Sequence, residues 1–109
     1  MVDSEFDVVV RVLDGRAVLA VKGDVDAYTG PNLTECLAAA VDETDGDVTL
    51  DMSGVSFIDS TGIAILVATA KQLRQRGNEL VVDSPPRMVA KVLEMTGVTK
   101  LVRLEQSSR

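Results

Sequence analysis

The first apolar pattern in the chain alternates with a period of two. Residues 8–13 read VVVRVL, and a second alternating run follows at 17–21, with Asp14-Gly15 between the two. β-Branched residues in alternation are typical of strands, and Asp-Gly is a strong signal for a two-residue hairpin turn. The pattern therefore predicts an antiparallel hairpin whose second strand ends near Gly23.

Three later segments carry apolar residues at helical spacing. The first has Thr29 as its predicted N-cap and Pro31 in its first turn; the second follows Ser60 and ends at Gly77. The third begins after Ser84, a predicted N-cap before two prolines, and ends at Gly97. The three apolar stripes consist of Leu33, Cys36, Leu37, Ala40 and Val41; Ile63, Leu66, Val67, Ala70 and Leu73; and Met88, Val89, Val92 and Leu93.

Short apolar runs at 47–52, 79–83 and 101–104 predict three further strands. Another run at 55–58 resumes after a small-residue loop and leads into the second helix. The order ββαβαβαβ predicts an α/β fold, in which the N-terminal hairpin continues into a mixed β-sheet with helices packed against it. We find no linker or repeat, so the chain is expected to be one domain over residues 1–109.

Composition limits the classes of function. Hydrophobic residues make up 46 % of the chain and aromatic residues only 3 %, which predicts a core of Val, Leu, Ile and Ala. The net charge of −6 argues against nucleic-acid binding, which needs a basic face. No apolar run reaches about 18 residues, and residues 1–6 lack the features of a signal peptide. We therefore expect a soluble, cytoplasmic protein that contacts neither nucleic acid nor membrane.

Missing residue types argue against an enzyme. The chain has no His, which removes the usual base of Ser and Cys nucleophiles and the commonest zinc ligand. Neither common glycine-rich phosphate-binding loop occurs, and we expect no cofactor and no metal. Cys36 is the only cysteine, and we interpret it as a small buried hydrophobic residue rather than a redox sensor.

The segment Asp59-Ser60-Thr61-Gly62 lies where the second helix begins. Asp, Ser and Thr side chains satisfy unpaired N–H groups at helix starts, and capping alone would explain their presence. Gly62 allows the backbone to approach a neighbour closely. A hydroxyl here would lie at the positive end of a helix dipole, where added negative charge is tolerated best.

The longer segment Asp51-Met-Ser-Gly-Val-Ser-Phe-Ile-Asp-Ser-Thr-Gly62 resembles the signature of the anti-sigma factor antagonists, also called anti-anti-sigma factors, which are bacterial STAS domains. Gly23-Asp-Val-Asp-Ala-Tyr-Thr29 resembles the second landmark of that family. With the matching element order, the resemblance covers roughly residues 7–104 and implies a single STAS domain. Thr61 departs from the pattern, since several members carry a second Ser there.

The resemblance implies a phosphorylation switch at Ser60. The unphosphorylated protein would bind an anti-sigma factor with a serine kinase fold and so release the sigma factor. Phosphorylation of Ser60 by that partner would end binding, and a serine phosphatase is a further expected partner. One alternative is a STAS scaffold or regulatory subunit of a signalling complex or transporter. The other is an enzyme with Ser60 as nucleophile or Asp59 as phosphoryl acceptor, which the lack of His disfavours.

Ile65 extends the expected partner-binding surface beyond the motif. At 100° per residue it falls on the side of Thr61, away from the apolar stripe of the second helix. It is either an exposed apolar contact for a partner or a residue packed under a neighbouring loop. The expected binding surface consists of Asp24, Asp26, Tyr28, Asp59, Ser60, Thr61, Gly62 and Ile65.

Overall fold

One five-stranded sheet organises the protein. A computed structural model describes residues 6–107. Residues 1–5, on which the expectation about a signal peptide rested, and the last two residues of the polar tail lie outside the described residues. The strands are β1 (Asp7–Leu13), β2 (Arg16–Val25), β3 (Val48–Ile58), β4 (Leu80–Asp83) and β5 (Arg103–Glu105), which neighbour one another in chain order. β1 runs antiparallel to β2, and all later neighbours are parallel. The predicted mixed sheet is confirmed.

The three helices are α1 (Gly30–Glu43), α2 (Ser60–Gln75) and α3 (Arg87–Met95), with a short 3₁₀ helix at Val98–Lys100. Each parallel strand is joined to the next through a helix. Crossovers of this kind are almost always right-handed, so a sheet whose strands follow chain order carries its helices on one face. The predicted order ββαβαβαβ is confirmed, with the 3₁₀ helix as an addition.

The core lies between that face and the helices. Ala17, Leu19 and Val21 of β2 are buried in alternation, and the predicted helix stripes supply the opposite side of the core. Cys36, predicted to be buried, is only half-buried. Met88 is 75 % exposed, so its assignment to the α3 stripe was wrong. The buried residues of α3 are Val89 and Leu93, one turn apart. Met88 comes one residue before Val89 and lies outside this narrow buried stripe.

β3 is longer than predicted. The strand runs without a break through Ser53 and Gly54, where the sequence predicted a loop. The pairing of β2 with β3 shifts register near this point, as in a β-bulge. A Cβ on Gly54 would lie 2.8 Å from the Cβ of Lys22, so glycine here permits close strand approach. β2 is also longer than predicted, because it continues beyond Gly23 to Val25.

The start of α3 and the last strand also differ from the prediction. Ser84 is not the N-cap: it has a positive φ of 54°, its N–H donates to the Glu105 carbonyl, and Pro86 holds the N-cap position. The last strand begins at Arg103 rather than at residue 101. The N–H groups of residues 101 and 102 instead donate back to the Val98 carbonyl and prolong the turn.

Gly62 fixes how closely α2 approaches the sheet. It is buried in the first turn of α2. A Cβ added to it would lie 2.5 Å from Ile58 Cγ1 and 2.9 Å from Val25 Cγ1, nearer than atoms can pack. The start of α2 is therefore pressed directly onto the ends of β2 and β3.

Gly62→Ala should lower the free energy of unfolding by about 1–3 kcal/mol, the usual cost of overpacking a core. Helix propensity alone acts in the other direction, because alanine is favoured over glycine by about 1 kcal/mol inside a helix. Urea unfolding followed by circular dichroism measures the change. Ala64→Gly, at an exposed position of the same helix, is the control for propensity. A Gly62→Ala variant as stable as wild type would contradict the close contact.

Candidate functional site

Asp59 joins the ends of two strands to the start of α2. Its side-chain Oδ1 accepts hydrogen bonds from Thr61 N at 2.9 Å and Gly62 N at 3.3 Å, so Asp59 is the N-cap. Its own N–H donates to the Val25 carbonyl at 3.2 Å. The cap satisfies two N–H groups that an α-helix leaves unpaired. Asp59 therefore holds α2 against the carboxyl ends of β2 and β3.

Ser60 is the first residue of α2 and is exposed. Its hydroxyl has no hydrogen-bond partner among residues 6–107, because the capping role belongs to Asp59. The helix N-terminus carries partial positive charge, which stabilises negative groups placed there. The arrangement presents an accessible hydroxyl at a point of the backbone that tolerates an added anion.

A hydrogen-bonded turn orders the acidic segment that follows β2. Asp26 Oδ1 accepts from Tyr28 N at 3.0 Å and Thr29 N at 3.1 Å. The Thr29 hydroxyl donates to the Asp24 carbonyl at 2.8 Å and accepts from Asp26 N at 3.1 Å. Thr29 holds the N-cap position of α1 as predicted, yet its hydroxyl does not cap the helix. Its hydrogen bonds fix the turn instead, with Tyr28 88 % exposed on it.

The starts of α1 and α2 touch at Gly30. A Cβ on Gly30 would lie 3.1 Å from Thr61 Cγ2 and 3.2 Å from Ile65 Cδ1. The half-buried Thr61 therefore directs its methyl group at α1, which gives this residue a packing role. Ile65 is also half-buried and packs against the core cluster. Both alternatives for Ile65 therefore hold in part, because its side chain packs under the start of α1 and is still partly accessible.

A shallow groove of about 290 Å³ separates α1 from α2 and begins at Thr61. Small and apolar side chains line it, among them Ala38, Ala64, Ile65 and Ala68. The groove gives the Ser60 region an apolar surface that a partner could cover.

The structure brings all the predicted site residues to one end of the sheet. Val25 pairs with Ile58 at the carboxyl ends of β2 and β3, so the Asp24–Thr29 segment and the Asp59–Gly62 segment are neighbours. Asp24 and Ser60 are exposed, Asp26 and Asp59 are half-buried, and Gly62 is buried and can act only through its backbone. The three aspartates form no salt bridge within residues 6–107. This end of the sheet is therefore acidic.

Phe57 was not predicted as part of this surface. It pairs with Asp24 in the β2–β3 register and is 51 % exposed. Its neighbour Ile58 is buried, since successive strand residues point to opposite faces. A strict period of two would place Phe57 on the buried side with Val55, but the register shift between Gly23 and Asp24 breaks the alternation, so the exposure of Phe57 was not readable from the sequence.

Other reactive chemistry is limited. Burial, with the carboxylate of Glu35 as a second cause, raises the pKa of the Cys36 thiol, so the thiol stays protonated at neutral pH. Its Sγ lies 3.7 Å from Asn32 Oδ1. No group of three or more possible metal ligands occurs among the described residues. None of the helices between residues 6 and 107 has the length and apolar character that crossing a bilayer requires.

Comparison with known proteins identifies relatives over most of the chain. The family model described as STAS domain matches residues 7–109. The anti-sigma-B factor antagonist of Listeria monocytogenes is 33 % identical over 85 residues, which cover 78 % of this chain and 75 % of that protein.

Solved structures agree with this match. The crystal structure of an anti-sigma factor antagonist from Mycobacterium paratuberculosis has a TM-score of 0.77 and 29 % identity, covering 93 % of this chain and 86 % of that one. Unphosphorylated SpoIIAA has a TM-score of 0.78 at 16 % identity, covering 95 % and 89 % of the two chains, and this likeness concerns the fold alone. The phosphorylated form of SpoIIAA, from Bacillus, has a TM-score of 0.73 at 15 % identity, covering 95 % and 92 %. The family model, the element order and the curated relatives agree, and this chain belongs to the STAS domain family.

Proposed function

We propose that this protein is an anti-sigma factor antagonist whose binding is switched off by phosphorylation of Ser60. The unphosphorylated form binds an anti-sigma factor with a serine kinase fold, and the sigma factor is released. The observation that carries the proposal is the exposed Ser60 hydroxyl, which lies at a helix N-terminus and has no partner within residues 6–107.

The electrostatics of the site support a switch that acts on the interface and not on the fold. A phosphoserine carries about −1.5 to −2 charges at neutral pH. At the N-terminus of α2 the helix dipole offsets part of that charge. A partner that covers the site would also meet the carboxylates of Asp24, Asp26 and Asp59, and the added phosphate would have to lose its water. Phosphorylation therefore disfavours the complex more than the folded monomer.

The relatives support the same biological role. Curated homologues are anti-sigma factor antagonists, and SpoIIAA, which shares the fold, is known in unphosphorylated and phosphorylated forms. A regulatory binding protein needs no catalytic base, and the described residues place none on Ser60. A serine phosphatase that removes the phosphate would complete the cycle.

The proposed contact surface has a polar and an apolar part. The polar part consists of Asp24, Asp26, Asp59 and Ser60, while the buried Gly62 supports this surface by positioning the start of α2. The apolar part consists of the groove between α1 and α2, where Thr61 and Ile65 lie, together with the exposed ring of Tyr28. An exposed aromatic residue on an ordered turn is a typical anchor of an interface.

Incubation with the partner kinase and ATP should add one phosphate to the wild-type protein and none to Ser60→Ala. Intact-mass spectrometry measures the gain. Thr61→Val is the matched control, because it removes the neighbouring hydroxyl and keeps the methyl group that faces Gly30. Phosphate that persists in Ser60→Ala but disappears in Thr61→Val would move the site to Thr61.

Ser60→Ala should bind the anti-sigma factor in the presence of ATP, and Ser60→Glu should bind at least about tenfold more weakly, equivalent to about 1.4 kcal/mol. Ser60→Gln has nearly the size of the Glu variant and no charge, so it separates charge from bulk. Calorimetric titration measures all three affinities. Equal affinities of the Glu and Gln variants would show that charge is not the basis of the switch.

Tyr28→Ala should weaken partner binding by about 1–3 kcal/mol, the range of a buried aromatic or apolar contact. The melting temperature should stay unchanged, because the ring is 88 % exposed in the free protein. Met88→Ala is the control, since Met88 is 75 % exposed on α3. Ile65 gives a less clean test because its side chain also packs near Gly30. Unchanged affinity of Tyr28→Ala would remove the turn from the interface.

A further inference from the structure

The outer edge of β1 is an exposed apolar feature that the proposed function does not use. β1 is an end strand of the sheet, and its second edge pairs with no strand in the described part of the chain. Four of its side chains are 46–55 % exposed, namely Val9, Val10, Val12 and Leu13. Edge strands are usually protected by charged side chains, especially Lys, by Pro or by a bulge. Residues 7–13 contain neither Lys nor Pro and pair with β2 without a break, and their only charged residues are Asp7 and Arg11.

The hairpin determines which backbone groups face outward. Asp14 and Gly15 have φ of 54° and 76°, as a two-residue type I′ turn requires, so the flanking pair Leu13–Arg16 is hydrogen-bonded. Hydrogen-bonded pairs alternate along an antiparallel ladder. The odd-numbered residues of β1 therefore bond to β2. Val8, Val10 and Val12 direct their N–H and C=O groups away from the sheet, where they can pair with another strand.

The charges of β1 match those of a second, antiparallel copy. When Val9 lies opposite Val9 of the other copy, Asp7 lies opposite Arg11 and Val8 opposite Val10. Asp7 and Arg11 then form two unlike-charge pairs in non-hydrogen-bonded positions, where side chains approach most closely.

Within residues 7–13, neighbouring registers lose this match. Because only the even-numbered residues offer outward hydrogen bonds, the register can shift only in steps of two. One step places Asp7 opposite Leu13 and Arg11 opposite Val9. The opposite step places Asp7 opposite Val9 and Arg11 opposite Glu5, a residue outside the described range. In that register Asp7 faces no arginine, so Asp7→Arg distinguishes it from the register centred on Val9.

We propose that two copies of this protein form a symmetric dimer by antiparallel pairing of β1 with β1, centred on Val9. The two five-stranded sheets then join into one continuous sheet with both helix layers on the same face. Because β1 is antiparallel to β2, the parallel strands of the two copies point in opposite directions. The two Ser60 sites lie at opposite ends of the joined sheet, and each stays accessible to its own partner.

Sedimentation velocity of the full-length protein at increasing concentration should show a monomer–dimer equilibrium. Asp7→Arg and Arg11→Asp should each raise the dissociation constant roughly tenfold, because each places like charges opposite one another twice. An equimolar mixture of the two variants should recover wild-type affinity, since each introduced arginine then faces an aspartate of the other variant. Native mass spectrometry should show the mixed dimer in excess over both homodimers.

Val9→Lys, which brings two lysines together at the symmetry axis, should abolish the dimer, while thermal unfolding monitors the fold of every variant. Wild-type protein that stays monomeric up to millimolar concentration would overturn the proposal. Homodimers of Asp7→Arg and Arg11→Asp as stable as wild type, or a mixture without preference for the mixed dimer, would overturn the register. Phosphorylation of Ser60 is measured in a separate experiment, so failure of the dimer proposal and failure of the proposed phosphorylation switch are distinguishable.

Discussion

The hydrogen bonds of Asp59 are the interaction on which the site depends. One residue bonds to the end of β2 through its N–H and to the first turn of α2 through its carboxylate. An N-cap contributes only about 1 kcal/mol to stability, but here it also sets the position of α2 relative to the sheet. With no Cβ on Gly62, the helix begins in direct contact with Val25 and Ile58. The end of the sheet, the cap and the glycine together determine where Ser60 stands.

The four residues from Asp59 to Gly62 divide structural and regulatory roles among them. Asp59 caps the helix, Thr61 directs its methyl group at Gly30, and Gly62 makes room for the sheet. Only the side chain of Ser60 has no role in the fold. This division explains how a modification can change binding at a position surrounded by residues that the fold requires.

Much of this structure follows from local sequence patterns. Asp14-Gly15 predicted the hairpin because its backbone conformation suits few other residues, and the helical stripes predicted most of the core. The sequence-based predictions were wrong where contacts with another element determine the local structure. Ser53-Gly54 reads as a loop, yet the segment stays in β3, which takes up one extra residue opposite β2 as a bulge. In the site, the cap at Asp59 is a local signal, whereas the contact between Ile65 and α1 depends on how two helices meet.

The turn around Asp26 has a consequence for the kinetics of recognition. Two backbone N–H groups donate to Asp26, and the Thr29 hydroxyl donates to the Asp24 carbonyl, so this segment is held in one conformation before any partner arrives. A segment already ordered loses little conformational entropy on binding, so more of the contact energy appears as affinity. Differences among related complexes are expressed mainly in dissociation rates. Sequence changes within this turn should therefore alter how long a complex lasts more than how fast it forms.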